Sequence, residues 1–280
     1  MKSLWSLGAG LSFALLAAFV KLAAEQGVPT GQIIFFRSFI SALALYAFMH
    51  WRGLPVATPR WKDQLTASLG GVVSLVTYFY AIKMLPLGVA VTLNYTSPIF
   101  LGLLLMLNRQ SPTTAGSLTA LVAGFVGVTL LLQPSFDSTA WVGYLLALLS
   151  AILGAFYFIS IRRLGEQGEP SVRTVFYFAL VSAIAALPLS LTTSATNAYS
   201  IEVIGLLLGT GFLATIGQVM LTFAYQQGKP LVVAALGYSQ VVFAVLFGIL
   251  IWYDTIPVHV GLGILLIIVS GIMTSATQRK

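Results

Sequence analysis

Residues 25–29 read "EQGVP" and residues 166–170 read "EQGEP", 141 positions apart in a chain of 280. The match extends outward: "EQGVPTGQIIFFRSFISALAL" aligns with "EQGEPSVRTVFYFALVSAIAA", sharing Phe35/Phe176, Ser41/Ser182, Ala42/Ala183 and Ala44/Ala185. Three pairs of prolines continue the register, Pro29/Pro170, Pro86/Pro230 and Pro112/Pro257, separated by 141, 144 and 145 residues. Proline suits a first helical turn, where its missing N–H costs nothing, so each pair marks corresponding helix starts. Thr30 and Ser171 add hydroxyls suited to capping beside the first pair.

What these helices are immersed in follows from composition. Hydrophobic residues make up 58% of the chain and charged residues 8%, against about 25% charged in soluble domains. Seven acids and fourteen bases cannot coat a soluble protein of this size, so the surface is built for lipid. About 20 apolar helical residues cross the hydrocarbon. Ten segments qualify: 4–24, 31–51, 64–84, 86–107, 112–132, 141–161, 172–192, 202–225, 230–251 and 256–276.

Charge placement orients them. With both termini cytoplasmic, eleven bases lie inside: Lys2, Arg52, Arg60, Lys62, Arg109, Arg162, Arg163, Arg173, Lys229, Arg279 and Lys280. Lys21 and Lys83 fall outside, and Arg37 lies within the second span. This is the positive-inside pattern of a membrane protein, so the net charge of +7 reports topology and gives no reason to invoke nucleic acid; a bacterial inner membrane is the expected location. Trp51, Trp61, Trp141 and Trp252 stand at span ends as interface anchors.

Each copy of the repeat holds five spans, residues 1–138 and 139–280. Five is odd, so the second copy enters the membrane from the opposite face. The expected fold is an all-α polytopic membrane protein of ten transmembrane helices in two inverted five-helix repeats. Such halves exchange outward-open and inward-open forms around a site near the midplane.

At this point the chain resembles the EamA-type members of the drug/metabolite transporter superfamily. The resemblance rests on "FFRS" at 35–38, "LPLGVAVTLNYTSPIF" at 85–100 and "AYQQGKPLVVAALGYSQVVFAVLFG" at 224–248, and it covers essentially the whole chain. "LNYTSP" is also similar to the amino-acid exporters called YddG. Where the family often ends its fourth and ninth helices with Gly-Glu, this chain has Asn108-Arg109 and Tyr253-Asp254.

Polar side chains within spans face the bundle interior or a wet cavity. The third span offers Thr77 and Tyr78, the fourth Asn94, Tyr95 and Ser97. The second half answers with Gln218, Thr222 and Tyr225 on the eighth span and Tyr238, Ser239 and Gln240 on the ninth. At an offset of 144, Tyr78 corresponds to Thr222, Asn94 to Tyr238 and Tyr95 to Ser239. Tyr157 and the deep cation Arg37 complete the expected substrate site. The competing account is that these groups only bond helix to helix. Pro98 cannot donate to the carbonyl of Asn94, which marks a hinge, with Gly237 as its softer counterpart. Lys21 is read as an interface anchor or as a guard at the mouth of the cavity.

Absences narrow the chemistry. There is no Cys and no HExxH motif, so neither a metal nor another cofactor is called for, and a membrane enzyme is disfavoured. All seven acids lie in loops or at span ends, so movement driven by the substrate's own gradient is expected, without tight proton coupling. The expected partners are the lipid bilayer and a small-molecule substrate. An amino acid with an aromatic or apolar side chain fits best. Monovalent organic cations held by cation–π contact are the alternative cargo; a channel or receptor is the alternative class.

Overall fold

The repeated phrase folds twice into the same turn. The computed structural model describes residues 2–85, 87–107, 115–134, 140–192, 200–252 and 257–277. In it α1 (Trp5–Glu25) runs into α2 (Thr30–Trp51), and α7 (Trp141–Glu166) into α8 (Ser171–Thr192). Gly27 and Gly168 adopt φ of 82° and 83°, the left-handed conformation that glycine enters without a Cβ clash. The Val28 and Glu169 amides then bond back five residues, to the carbonyls of Ala23 and Leu164, at 3.1 and 3.0 Å. This is a glycine-terminated Schellman end in both copies. Pro29 and Pro170 then accept from the first amides of the next helix. The hydroxyl caps expected nearby are not used. No side chain caps the start of α2, and the Ser171 hydroxyl donates to Gln226 Oε1 at 2.6 Å instead.

The remaining helices are α3 (Trp61–Met84), α4 (Leu87–Asn94), α5 (Ser97–Leu107), α6 (Ala115–Leu132), α9 (Ile201–Gln227), α10 (Pro230–Gly237), α11 (Ser239–Trp252) and α12 (Val258–Thr277). Among the described residues the structure is all-helical. Among those residues nine stretches are long and apolar enough to cross a membrane, and Gly116–Leu132 is a shorter apolar helix. Two spans are broken: α4 and α5 share one, α10 and α11 another. Pro86, Pro112, Asn108-Arg109 and Tyr253-Asp254 lie outside the described residues, as do the Lys83 and Trp252 side chains.

Four helix pairs form the closest packing: α1 with α9, α3 with α7, α2 with α8, and α6 with α12. In the last two pairs, helices at equivalent places in the two halves run antiparallel. Gly31, at the start of α2, lies against Leu189 near the end of α8, while Met49 and Val175 share a cluster at the other end. Likewise the Ser270 hydroxyl donates to the Ala120 carbonyl at 2.6 Å, and Gly127 meets Gly263 backbone to backbone.

The two copies of the phrase stand at opposite ends of α9. Val28 clusters with Val203 and Leu207 at its start, and the other turn places Gly165 and Ser171 against Gln226 at its finish. Twenty-seven residues separate those ends, about 40 Å at 1.5 Å per residue. At the finish of α9 four segments gather on one face, called here the N-terminal face. Lys2 donates to Gln227 at 3.0 Å, the Lys229 amide to the Ser3 hydroxyl at 3.1 Å, and Arg173 Nε to the Pro55 carbonyl at 3.0 Å.

Glu169 is the centre of that face. Although it belongs to a loop, only 7% of it is exposed. Its carboxylate accepts from the Thr58 hydroxyl, from Gln64 Nε2 at 3.0 Å and from Arg173 Nη1 at 2.9 Å. Burial alone would raise its pKa, but the bonds from Thr58, Arg173 and Gln64 and the Arg173 charge outweigh that, and the value is held below the ordinary carboxylate range. The fold therefore favours the ionised form. This contribution is fully present above the unfolded-state value of about 4.3 and is lost only as pH falls through the lower folded-state value. A melting temperature insensitive to this group from pH 5 to 8 is expected, with its loss confined to stronger acid. Melting curves of Glu169→Gln against the parent protein at pH 7 and at acid pH test this, because the difference should shrink only in acid.

Candidate functional site

The two broken spans touch at their breaks. The helical ladder runs to the Tyr95 amide, which bonds to Val91, and tightens at Thr96, which bonds to Leu93; Ile99 and Phe100 then donate to the Thr96 carbonyl, and Pro98, second residue of α5, has no amide to offer Asn94. The Tyr95 carbonyl, released by the break, accepts from the Tyr238 hydroxyl at 3.3 Å. Tyr238 occupies the break of the other span, just after Gly237, and is completely buried. The two tyrosine rings lie 5.9 Å apart at 44°. Each broken helix therefore supplies one partner of the contact. Inside a bilayer such freed backbone persists only where protein or a polar cavity satisfies it.

Further aromatic groups extend from this contact. Tyr225 on α9 stacks on Phe158 with centroids 4.3 Å apart. Tyr157 on α7 accepts from Gln218 Nε2 at 3.2 Å and faces Phe178 at 5.2 Å. Arg37 on α2 is half-buried and pairs with no acid among the described residues. Tyr157, Tyr225 and Tyr238 belong to one apolar cluster, and Tyr95 packs against it.

Three expected hydroxyls have no protein partner among the described residues although the oxygens are buried: Ser97, Thr222 and Ser239. A buried polar group left unmatched costs roughly 1–3 kcal/mol. Ser97 and Ser239 are the first residues of α5 and α11, facing Gly154 and Gly10 respectively, where the absence of a Cβ leaves room for the hydroxyl.

The other expected residues make the following contacts. Thr77 bonds back to the carbonyls of Val73 and Ser74, both at 2.9 Å. Asn94 donates to Ser150 at 3.0 Å, joining a pair in which Ser74 and Ser150 each donate to the other's backbone carbonyl at 2.8 Å. Tyr78 packs against Ala81, Leu85, Val89 and Ala147. Gln240 lies in the first turn of α11 with its amide near Gly10, and Lys21 is exposed on α1. Ser150, Phe158 and Phe178 were not singled out from the sequence. A single Ser or Phe among many carries no signal until its neighbours are known. No group of three metal-ligating side chains occurs among the described residues.

A separate cleft of about 460 Å³ opens near the N-terminal face, between Trp5, Val172, Val219 and Phe223. Its polar lining groups Glu169, Ser171 and Gln226 already bond to each other or to neighbours.

Comparison with known proteins places this architecture. The model of the EamA-like transporter family matches residues 1–133 and again 141–276. A pseudopaline exporter, CntI of Pseudomonas aeruginosa, is 32% identical over 97% of this chain and 94% of its own length. A riboflavin transporter of Vibrio cholerae is 22% identical over 96% and 90%. A solved crystal structure superposes with a TM-score of 0.88 at 18% identity, covering 100% of this chain and 99% of the other, which speaks to fold alone.

Proposed function

Because the chain belongs to the EamA-like transporter family, we propose that this integral membrane transporter is an alternating-access exporter of small amphipathic metabolites, with amino acids carrying apolar or aromatic side chains as its preferred cargo. It is not an enzyme. The observation that carries the reading is the meeting of the two broken spans at Tyr95 and Tyr238. Support for inverted halves, 1–138 and 139–280, comes from the antiparallel pairs α2/α8 and α6/α12 and from the placement of the two phrase copies at opposite ends of α9. In this reading the N-terminal face is cytoplasmic, in a bacterial inner membrane.

The chemistry of the cluster suits a zwitterion. Arg37, together with the hydroxyls of Ser97, Thr222 and Ser239, offers positive charge and donors to a carboxylate. The tyrosine faces receive an ammonium group or an aromatic side chain. The names of the relatives speak of an exporter and of a metabolite transporter, which agrees with small-molecule cargo. Glu169 is buried, but at a face and already ionised in a bonded network, so it is not placed to relay protons at the midplane. Substrate-gradient movement without tight proton coupling follows.

The test is counterflow in proteoliposomes, with labelled aromatic and aliphatic amino acids beside a monovalent organic cation and no imposed proton gradient. Saturable amino-acid exchange is expected. Arg37→Gln should reduce it by roughly tenfold, the loss of one charge-assisted contact of about 1.4 kcal/mol. Exchange of the organic cation alone would replace the amino-acid reading, and strict dependence on a proton gradient would overturn the uncoupled one.

A further inference from the structure

The two copies of the repeated phrase build the same turn but differ at one position within it, Val28 against Glu169. Val28 is an apolar plug, 6% exposed among Ala23, Ile33, Val203 and Leu207. Glu169 instead holds three donors, two of them from the other half of the chain: Thr58 and Gln64. The bonds continue inward. Gln64 Nε2 reaches the Thr174 hydroxyl at 3.4 Å, Gln226 Nε2 reaches the same hydroxyl at 3.3 Å, and Ser171 closes on Gln226. One network thus ties the turn before α3, α3 itself, α8 and the end of α9.

Packing shows the same asymmetry independently. Toward the N-terminal face α7 and α8 close on α9, and α10 packs on both α5 and α6. Exchanging the two halves would require equally close packing of α1 and α2 on α3, and of α4 on α11 and α12. Among the described residues those pairs are not closely packed. Helix packing is thus closer between these elements at the face that carries Glu169 than between their counterparts at the other.

We infer that Glu169 is the keystone of a latch that holds the gate at the N-terminal face closed, and that breaking its bonds to Thr58 and Gln64 admits substrate from that side. This rests on the alternating-access reading. The bonds cross between the two halves, so they cannot survive a movement of one half against the other. A carboxylate stripped of donors in a buried place is unfavourable, so the latched state is favoured until the halves separate far enough for water to replace them. The plug at Val28 has no directional bonds to break, which makes the two gates unequal by construction.

The chain contains no Cys, so a single introduced cysteine is a clean reporter. Ala224→Cys, fully buried on α9 beside Tyr225, reports opening at the latch face; Ala147→Cys, fully buried on α7 in the cluster toward the other face, is the control. Membrane-impermeant thiol labelling in inside-out and right-side-out vesicles, without substrate, compares Glu169→Val and Gln64→Leu with the parent background. Gln64→Leu removes one donor from a neutral side chain and leaves the Glu169–Arg173 pair in place, so it serves if Glu169→Val folds poorly. Labelling of Ala224→Cys from the latch side should rise roughly tenfold in Glu169→Val, and less in Gln64→Leu, while Ala147→Cys stays unchanged. Unchanged labelling of Ala224→Cys in both variants overturns the latch, as does an equal rise at both reporters, which would mean general loss of fold. Labelling does not depend on cargo crossing, so failure of the latch and failure of the carrier reading in counterflow are separately visible.

Discussion

Truncating Tyr238 to Ala is expected to abolish counterflow and to lower stability by about 3–5 kcal/mol, the cost of emptying a fully buried aromatic site. The ring is completely buried, faces Tyr95 and fills the space left by Gly124, where a Cβ would come within 2.7 Å of it. Tyr238→Phe separates packing from polarity. It keeps the ring and removes only the donor to the Tyr95 carbonyl, so a loss of about 1 kcal/mol is expected in stability. Counterflow should nevertheless fall severalfold, because the exposed carbonyl of a broken helix then competes for the substrate's donors. Melting of the detergent-purified protein and counterflow, measured on the same preparations, check both numbers. A Phe variant that melts lower yet transports normally would reduce Tyr238 to a structural part.

The second large effect lies far from the tyrosines. Between α6 and α12 the helix backbones touch: a Cβ on Gly263 would stand 2.6 Å from the Gly127 carbonyl oxygen, and one on Gly127 2.7 Å from that of Gly263. Neither obstacle is a side chain that can swing away. In lipid, where helices associate through packing more than through the hydrophobic effect, such small-residue contacts carry much of the association. Gly263→Ala should therefore cost about 2–3 kcal/mol, and Gly263→Leu should prevent recovery of folded protein. Gly261→Ala, on the same helix with nothing within 4 Å, is the internal control and should be neutral or slightly stabilising, since alanine favours helix. Equal effects at 261 and 263 would show that helix propensity, and not the close approach, governs this pair.

The spans were readable because hydrocarbon demands long apolar helices, and the phrase around Gly27 and Gly168 announced its turns through glycine and proline. The break before Pro98 was signposted by a residue with no amide to donate. Its counterpart at Tyr238 was not, since Val242 stands where that proline would be and only Gly237 hints at a bend. Facing directions were the least legible feature. A lipid-facing side is as apolar as a core-facing one, so periodicity does not say where a hydroxyl points. Thr77 bonds back to its own helix and Asn94 joins Ser74 and Ser150, partners that the sequence does not name. Gly205 and Gly209 on α9 divide in the same way: a Cβ on Gly209 would meet the Phe19 ring, whereas one on Gly205 would meet nothing within 4 Å among the described residues. Glu169 was hidden for another reason. A loop acid is ordinarily solvated, and its burial depends on Thr58 and Gln64 arriving from distant parts of the chain, with Arg173 one helical turn away.

Whether the two halves are upside down relative to each other decides whether alternating access can operate at all. Cysteine placed at Glu25 and, separately, at Glu166 puts the same reporter in each copy of the opening phrase. In intact cells an impermeant thiol reagent should label the Glu25→Cys protein and spare Glu166→Cys, with the pattern reversed in inverted vesicles. Labelling of both from one side of the membrane would contradict the inverted arrangement, and the carrier mechanism with it.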